Sequence, residues 1–133
     1  MSRVLDSNVL IRFWRRQQRR TGVATPDETT AKEWAAALKR SYGPIAILSV
    51  VYLEFLGGSA RRAETTAYRA FLDEFEVADG WSIDDRDLES ARRLAARVPS
   101  DRRPRGAMDC LISATASRLR MEVITADGGM PSA

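Results

Sequence analysis

The sequence of 133 residues contains no histidine and a single cysteine, Cys110. Without histidine, the chain has no Ser-His-Asp or Cys-His catalytic group, no histidine general base and no histidine-ligated zinc. A single cysteine excludes an internal disulfide, an iron–sulfur cluster and a CxxC pair, so we expect a reducing, cytoplasmic environment. Acid–base or metal chemistry in this chain must therefore depend mainly on carboxylates.

Long apolar stretches are also missing. The longest extends from residue 45 to residue 53, well short of the roughly 18 residues that span a bilayer. The N-terminal residues do not have the pattern of a secretory signal. We therefore expect no membrane segment and a single domain, residues 1–133, large enough to bury a hydrophobic core.

Positive charge comes almost entirely from arginine, since only Lys32 and Lys39 are lysines among the 21 basic residues. Two Arg-rich segments, residues 1–22 with a net charge of +5 and residues 90–120 with +6, flank an acidic segment, residues 64–89, with −7. Arginine forms forked hydrogen bonds to phosphate, although solvated helix faces are also rich in it. The candidate RNA contacts in these segments are Arg12, Arg15, Arg103 and Arg105.

Hydrophobic periodicity predicts strands alternating with helices. The predicted strands are Arg3–Leu5, Ile45–Leu48, either Glu76–Ala78 or Trp81–Ile83, and Glu122–Thr125. The predicted helices begin at about residues 9, 31, 50, 59, 85 and 108, and the second of them covers Ala31–Arg40. This alternation predicts an α/β fold, a short parallel sheet flanked by helices on both faces, with ligands at the carboxyl edge of the strands.

Five acidic residues have no charged neighbour within two positions, and these are Asp6, Glu54, Asp79, Asp109 and Asp127. Asp79 precedes a glycine, which is typical of a tight turn, so we interpret it as a turn residue. The other four follow strands or lie on the helices after them, where they can meet at one edge of the sheet. Helix capping at Asp6 and Asp109 and a turn at Asp127 remain as structural alternatives.

Glu54 fits a structural role less well, because its neighbours on the predicted helix are apolar. We expect it to be buried, and a buried carboxylate needs a partner or a metal ion. Carboxylates gathered in one site repel one another, and a divalent cation relieves the repulsion. Mg²⁺ binds one or two carboxylates together with water and phosphate oxygens, and paired ions can hydrolyse a phosphodiester without histidine or cysteine.

Four segments, in order along the chain, resemble the motifs of the PIN-domain ribonucleases, and most closely those of the VapC-type toxins of bacterial toxin–antitoxin pairs. The segments are Val4–Ile11, Leu48–Gly57, Ala107–Ala116 and Val123–Asp127. They extend the resemblance from residue 4 to residue 127, which is almost the whole chain.

The resemblance implies a PIN-like, Mg²⁺- or Mn²⁺-dependent endoribonuclease, the toxin of a type II toxin–antitoxin system. Its expected partners are an RNA substrate, a cognate antitoxin protein and a second copy of the chain. The catalytic, metal-binding acids fall on Asp6, Glu54, Asp109 and Asp127. Supporting polar groups fall on Ser7, Asn8 and Thr125. Since no histidine can activate a 2′-hydroxyl, we expect water to attack phosphorus and leave 5′-phosphate and 3′-hydroxyl ends.

Three other interpretations fit the sequence less well. The further acid and aromatic residue that the family commonly has after its fourth motif have no counterpart after Asp127, which keeps open a weak or inactive RNA-binding or regulatory module on the same scaffold. A phosphoacceptor of the response-regulator kind needs a lysine at a strand end, but Lys32 and Lys39 lie in a predicted helix. Nucleotide-binding folds are disfavoured because GxxxxGK and GxGxxG are both missing.

Overall fold

The computed structural model describes residues 2–97 and 106–126, which form an α/β fold. Its strands are β1 (Arg3–Leu5), β2 (Ala46–Ile47), β3 (Glu76–Val77) and β4 (Glu122–Ile124). Its helices are α1 (Ser7–Thr21), α2 (Glu28–Tyr42), α3 (Ser49–Leu56), α4 (Arg62–Leu72), α5 (Asp85–Ala95) and α6 (Ala107–Arg118). Within these residues, no helix is both long and apolar enough to cross a membrane.

The described strands form one parallel sheet in the order β3–β2–β1–β4. The chain moves outward from β1 through β2 to β3, and then returns past β1 to β4. Because crossover connections between parallel strands are right-handed, this reversal places α5 and α6 on the face opposite the earlier helices. The predicted α/β class with a short parallel sheet is confirmed.

Side-chain caps decide where several helices begin. Asp27 accepts a hydrogen bond from the Thr30 N–H at 2.8 Å, so α2 begins at Glu28, three residues before the predicted start. The α5 N-terminus has a reciprocal capping box, in which the Asp84 side chain accepts from the backbone of the first turn and Asp87 accepts from the Asp84 N–H at 3.1 Å. Of the two alternatives for the third strand, the one at Glu76–Ala78 is confirmed.

Trp14 of α1 is the centre of an aromatic core. It is 4% exposed, and its ring lies edge-on to four others at centroid distances of 4.9 to 5.8 Å. Such contacts add to the free energy gained by burying the rings. The four partners come from α2, α3 and α4, and they are Trp34, Phe55, Tyr68 and Phe71. One side chain therefore joins α1 to the other helices on its face of the sheet.

An ion pair between a buried carboxylate and a partly exposed arginine joins α5 to α6. The Asp87 side chain is fully buried, and Arg118 donates to its two oxygens from Nε at 2.6 Å and from Nη2 at 2.9 Å. Burial raises the pKa of Asp87, but the hydrogen bonds from Arg118 and from the Asp84 N–H outweigh that effect and hold the pKa below its ordinary value of 3.8. The position of α6 against α5 depends on this bidentate pair.

We expect Arg118→Met to lower the free energy of unfolding by about 3 kcal/mol at pH 7, because it leaves a buried carboxylate without its cation. Arg92→Met is the control, since Arg92 pairs with Glu89 in a largely exposed contact and should cost less than about 0.5 kcal/mol. Urea unfolding of the two variants and the wild type measures the difference. Equal losses in both variants would contradict the role assigned to Asp87.

The loss caused by Arg118→Met should also shrink as the solution is acidified. Because the folded pKa of Asp87 lies below its unfolded value, the pair contributes fully above about pH 4 and loses its contribution as pH falls through the lowered pKa. Urea unfolding between pH 7 and pH 3 follows this change, and a difference that stays constant over that range would disprove the expectation.

Candidate active site

The candidate site lies where the strand order reverses, at the carboxyl ends of β1 and β4. Open parallel sheets bind their ligands in the crevice at such a point. Leu5 and Ile124 are aligned in neighbouring strands, and the Asp6 N–H donates to the Ile124 carbonyl at 2.9 Å. Asp6 and Thr125, the residues that follow these strands, therefore lie together at the crevice.

Asp6 is a buried carboxylate, only 3% exposed. It caps α1 by accepting a hydrogen bond from the Ser7 N–H at 2.7 Å, and its other oxygen accepts from the Thr125 hydroxyl at 3.2 Å. Burial raises the pKa of Asp6, and the charges of Asp109 and Glu54 raise it further against the effect of these hydrogen bonds. Asp6 is therefore both a helix cap, which was the structural alternative, and a member of the acidic group.

Ser7 lies between the carboxylates of Asp6 and Glu54. Its hydroxyl donates to Glu54 Oε1 and lies 3.4 Å from Asp6 Oδ1. Glu54 itself is exposed on α3, so the expectation that apolar neighbours bury it is wrong. The helix turns Glu54 toward the crevice while Val51 and Phe55 enter the core, and a residue between two apolar neighbours in sequence need not share their face.

Asp109 lies in the first turn of α6, as the sequence predicts, and it is partly buried. A Cβ at Gly106 would lie 3.4 Å from Asp109 Oδ2, so glycine leaves this side of the carboxylate uncovered. The helix N-terminus favours a negative charge here. The effect of Asp109 on the pKa of Asp6 shows that the two carboxylates share one electrostatic environment.

Asn8 holds the chain at the end of β4. Its Nδ2 donates to Thr125 Oγ1 at 3.3 Å, and its Oδ1 accepts from the Ala126 N–H at 3.2 Å. These contacts join residues more than 110 positions apart in the sequence. Asn8 and Thr125 thus support the crevice, while Asp127 itself lies outside the described residues.

Of the four arginines predicted to contact RNA, two lie among the described residues and two do not. Arg12 and Arg15 lie exposed on α1, and Arg15 lines a cavity of about 150 Å³ together with Glu54. Arg103 and Arg105 lie outside the described residues.

The donor set at the crevice suits a hard divalent cation, since Asp6, Glu54 and Asp109 supply carboxylate oxygens. Among the described residues no cationic side chain pairs with Asp6 or Glu54. Residues 2–97 and 106–126 contain no three acidic side chains close enough together to hold one ion. Mg²⁺ needs only one or two direct carboxylates in addition to water.

Asp79 has a larger role than the turn residue predicted from the sequence. It lies in the turn after β3, and it also accepts hydrogen bonds from the Ser49 hydroxyl at 2.6 Å and the Ser49 N–H at 3.2 Å. It thereby caps α3, the helix that carries Glu54. Its position just after a strand, like that of Asp6, is the signal that could have revealed this.

The family model described as a PIN domain matches residues 3–133, which is nearly the whole chain. A search of the curated proteins found no match.

We expect Asp6→Asn to stabilise the protein in the presence of chelator by about 1 kcal/mol, because asparagine keeps the helix cap but removes a buried charge from beside two others. Asp79→Asn is the matched control at the same edge of the sheet, and it should destabilise the protein because Ser49 loses a charged acceptor. Thermal unfolding measures both. A loss of stability in Asp6→Asn would mean that Asp6 is only a structural cap.

Proposed function

Because the chain belongs to the PIN-domain family, whose members are in general nucleases that hydrolyse RNA, we propose that it is a metal-dependent endoribonuclease. The observation that carries the proposal is the grouping of acids at the crevice. Asp6 is buried there with its pKa raised by burial and by the charges of Asp109 and Glu54. A site of this kind is costly for stability and well suited to a cation and an RNA phosphate.

Asp6 and Asp109 are proposed as the principal metal ligands, completed by Glu54 and Asp127. PIN-domain nucleases generally use divalent metal ions. A bound Mg²⁺ or Mn²⁺ supplies Lewis-acid activation of water and of the scissile phosphate. The donors to Asp6 are the neutral Ser7 N–H and Thr125 hydroxyl, so neither contact replaces the positive charge that a metal ion would supply.

The remaining side chains orient these acids. Ser7 holds Glu54 toward Asp6, and Thr125 donates to the second oxygen of Asp6. Asn8 holds Thr125 and the Ala126 N–H, and so it positions the chain directly before Asp127. Rigid placement of charged groups, rather than proton transfer by a histidine, is the catalytic contribution proposed for this chain.

RNA is proposed to approach along α1, where Arg12 and Arg15 are exposed. Arg15 and Glu54 line one cavity, so a strand held by Arg15 passes close to the acidic crevice. Phosphate contacts of this kind position a strand without reading its sequence. Arg103 and Arg105 remain predictions from the sequence.

The toxin role, the antitoxin partner and the homodimer are proposed from the resemblance to the VapC-type toxins. Light scattering tests the dimer. The mass of a single chain at concentrations that support RNA cleavage would contradict it.

RNA cleavage should stop when the metal is chelated and return when Mg²⁺ or Mn²⁺ is added. We expect Asp109→Asn to lower the cleavage rate by about 100-fold or more while the protein stays folded. Asp85→Asn is the matched control, since Asp85 is also an acid in the first turn of a helix but lies away from the crevice. Cleavage that is insensitive to chelator, or full activity in Asp109→Asn, would disprove the assignment.

The products should carry 5′-phosphate and 3′-hydroxyl ends, because water rather than a neighbouring 2′-hydroxyl attacks phosphorus. End-labelling of the cleaved RNA identifies these ends, and cyclic phosphates would contradict the mechanism. RNA that is bound but not cut with either metal would instead favour the non-catalytic RNA-binding module.

A further inference from the structure

A second polar cavity lies between α5 and α6, apart from the acidic crevice. Its volume is about 290 Å³, near the lower end of the range for ligand sites. Four arginines and two serines are among the residues that line it, and they are Arg86, Ser90, Arg93, Arg97, Ser117 and Arg118.

Among the described residues that line this cavity, the acidic one is Asp87. Both of its carboxylate oxygens already accept hydrogen bonds. Arg118 donates to both of them, and the Asp84 N–H donates to one. The ion pair also fixes the Arg118 guanidinium in place, while its Nη1 lies outside the pair. A guanidinium has five N–H donors in a rigid fork, so a fixed arginine is a preorganised anion-binding group.

Arg93 is held at the cavity by weaker contacts. Its Nη1 lies 3.5 Å from Glu89, its Nη2 donates to Ser90 Oγ at 3.2 Å, and its side chain is 64% exposed. Exposed pairs of this kind contribute little to stability and exchange easily for a better acceptor. Arg93 can therefore turn to an anion in the cavity without a large loss of folding free energy.

Acids already neutralise part of the positive charge at the cavity, since Arg86 pairs with Asp84 and Arg118 with Asp87. The exposed contact of Arg93 with Glu89 is the weaker one, so Arg93 is the arginine that can turn to an anion. Arginine forks and serine hydroxyls converging from two helices suit a tetrahedral phosphate, whose oxygens accept hydrogen bonds in several directions. We propose that the cavity between α5 and α6 binds the phosphate group of a nucleotide, either within an RNA strand or free in solution. The first of these two sources of the phosphate, an RNA strand, rests on the proposed function.

The cavity and the crevice lie at different places along the same helix. Asp109 is in the first turn of α6 and Ser117 is eight residues further on, which corresponds to about 12 Å along the helix axis. At a rise of about 3.4 Å per nucleotide, this axial distance equals roughly four nucleotides of a helical strand. A phosphate in the cavity thus binds separately from the proposed scissile bond.

Arg92 and Arg93 provide a matched pair for the test. Both are exposed arginines of α5 paired with Glu89, but only Arg93 of these two lines the cavity. Fluorescence anisotropy of a labelled 12-nucleotide single-stranded RNA, in chelator to prevent cleavage, measures affinity over a range of salt concentrations. Isothermal titration calorimetry with inorganic phosphate and with adenosine monophosphate, in the absence of RNA, measures binding of a free phosphate group.

We expect Arg93→Gln to weaken RNA binding by about tenfold and to make the slope of log affinity against log salt shallower by about 0.7. Arg92→Gln should change affinity by less than about twofold. Ser117→Asp, which adds a carboxylate at an exposed position of the cavity, should weaken binding as Arg93→Gln does. Circular dichroism establishes that each variant is folded.

Each outcome has a distinct meaning. Selective loss of phosphate and nucleotide binding in Arg93→Gln, with RNA binding unchanged, supports the site and identifies a free nucleotide as its ligand. Equal effects of Arg92→Gln and Arg93→Gln, or no effect of either on any probe, overturn it. Selective weakening by Arg93→Gln in a protein that cuts no RNA would support this site while contradicting the proposed endoribonuclease.

Discussion

The buried carboxylate of Asp6 is the constraint on which the site depends. It stands at the end of β1, where the sheet reverses direction, and it serves both as the cap of α1 and as the centre of an acidic group. Its two hydrogen-bonding partners are neutral, so they hold its position without cancelling its charge. These hydrogen bonds favour the charged carboxylate, but burial and the charges of the neighbouring acids outweigh them and raise the pKa of Asp6.

Two other carboxylates place the helices that carry the remaining acids. Asp79 caps α3 through Ser49, and α3 carries Glu54. Asp87 binds Arg118 at the far end of α6, and α6 carries Asp109 in its first turn. Apart from Asp6, which has both roles, the acids that hold these helices in place are therefore different residues from the acids at the crevice. Such a division allows the crevice to remain charged while the helices around it are rigid.

Arginine likewise has more than one role in this chain. Arg118 pairs with a buried carboxylate, and the arginines of α1 lie exposed near the crevice. Those of α5 surround a cavity on the other side of the sheet. The charge of a segment alone does not distinguish these roles, because each depends on which acids lie near in space.

Much of the architecture could be predicted from local sequence, and the four sequence motifs agree with a family match over residues 3–133. The alternation of short apolar runs with helical periodicity predicts the α/β order, and the placement of Asp6 after a strand predicts its position at the sheet edge. The first residue of a helix is harder to predict. At α2, the Asp27 cap adds three residues before the start that hydrophobic periodicity indicates.

The tertiary structure alone decided the surroundings of the individual carboxylates. Glu54 is exposed rather than buried, since the direction of a side chain depends on how α3 packs against the sheet. Asp79 meets Ser49 across 30 residues and Asp87 meets Arg118 across 31. The sequence by itself determined which residue types and elements are present. Only the fold determined which charges face one another, because charges distant along the chain interact through space.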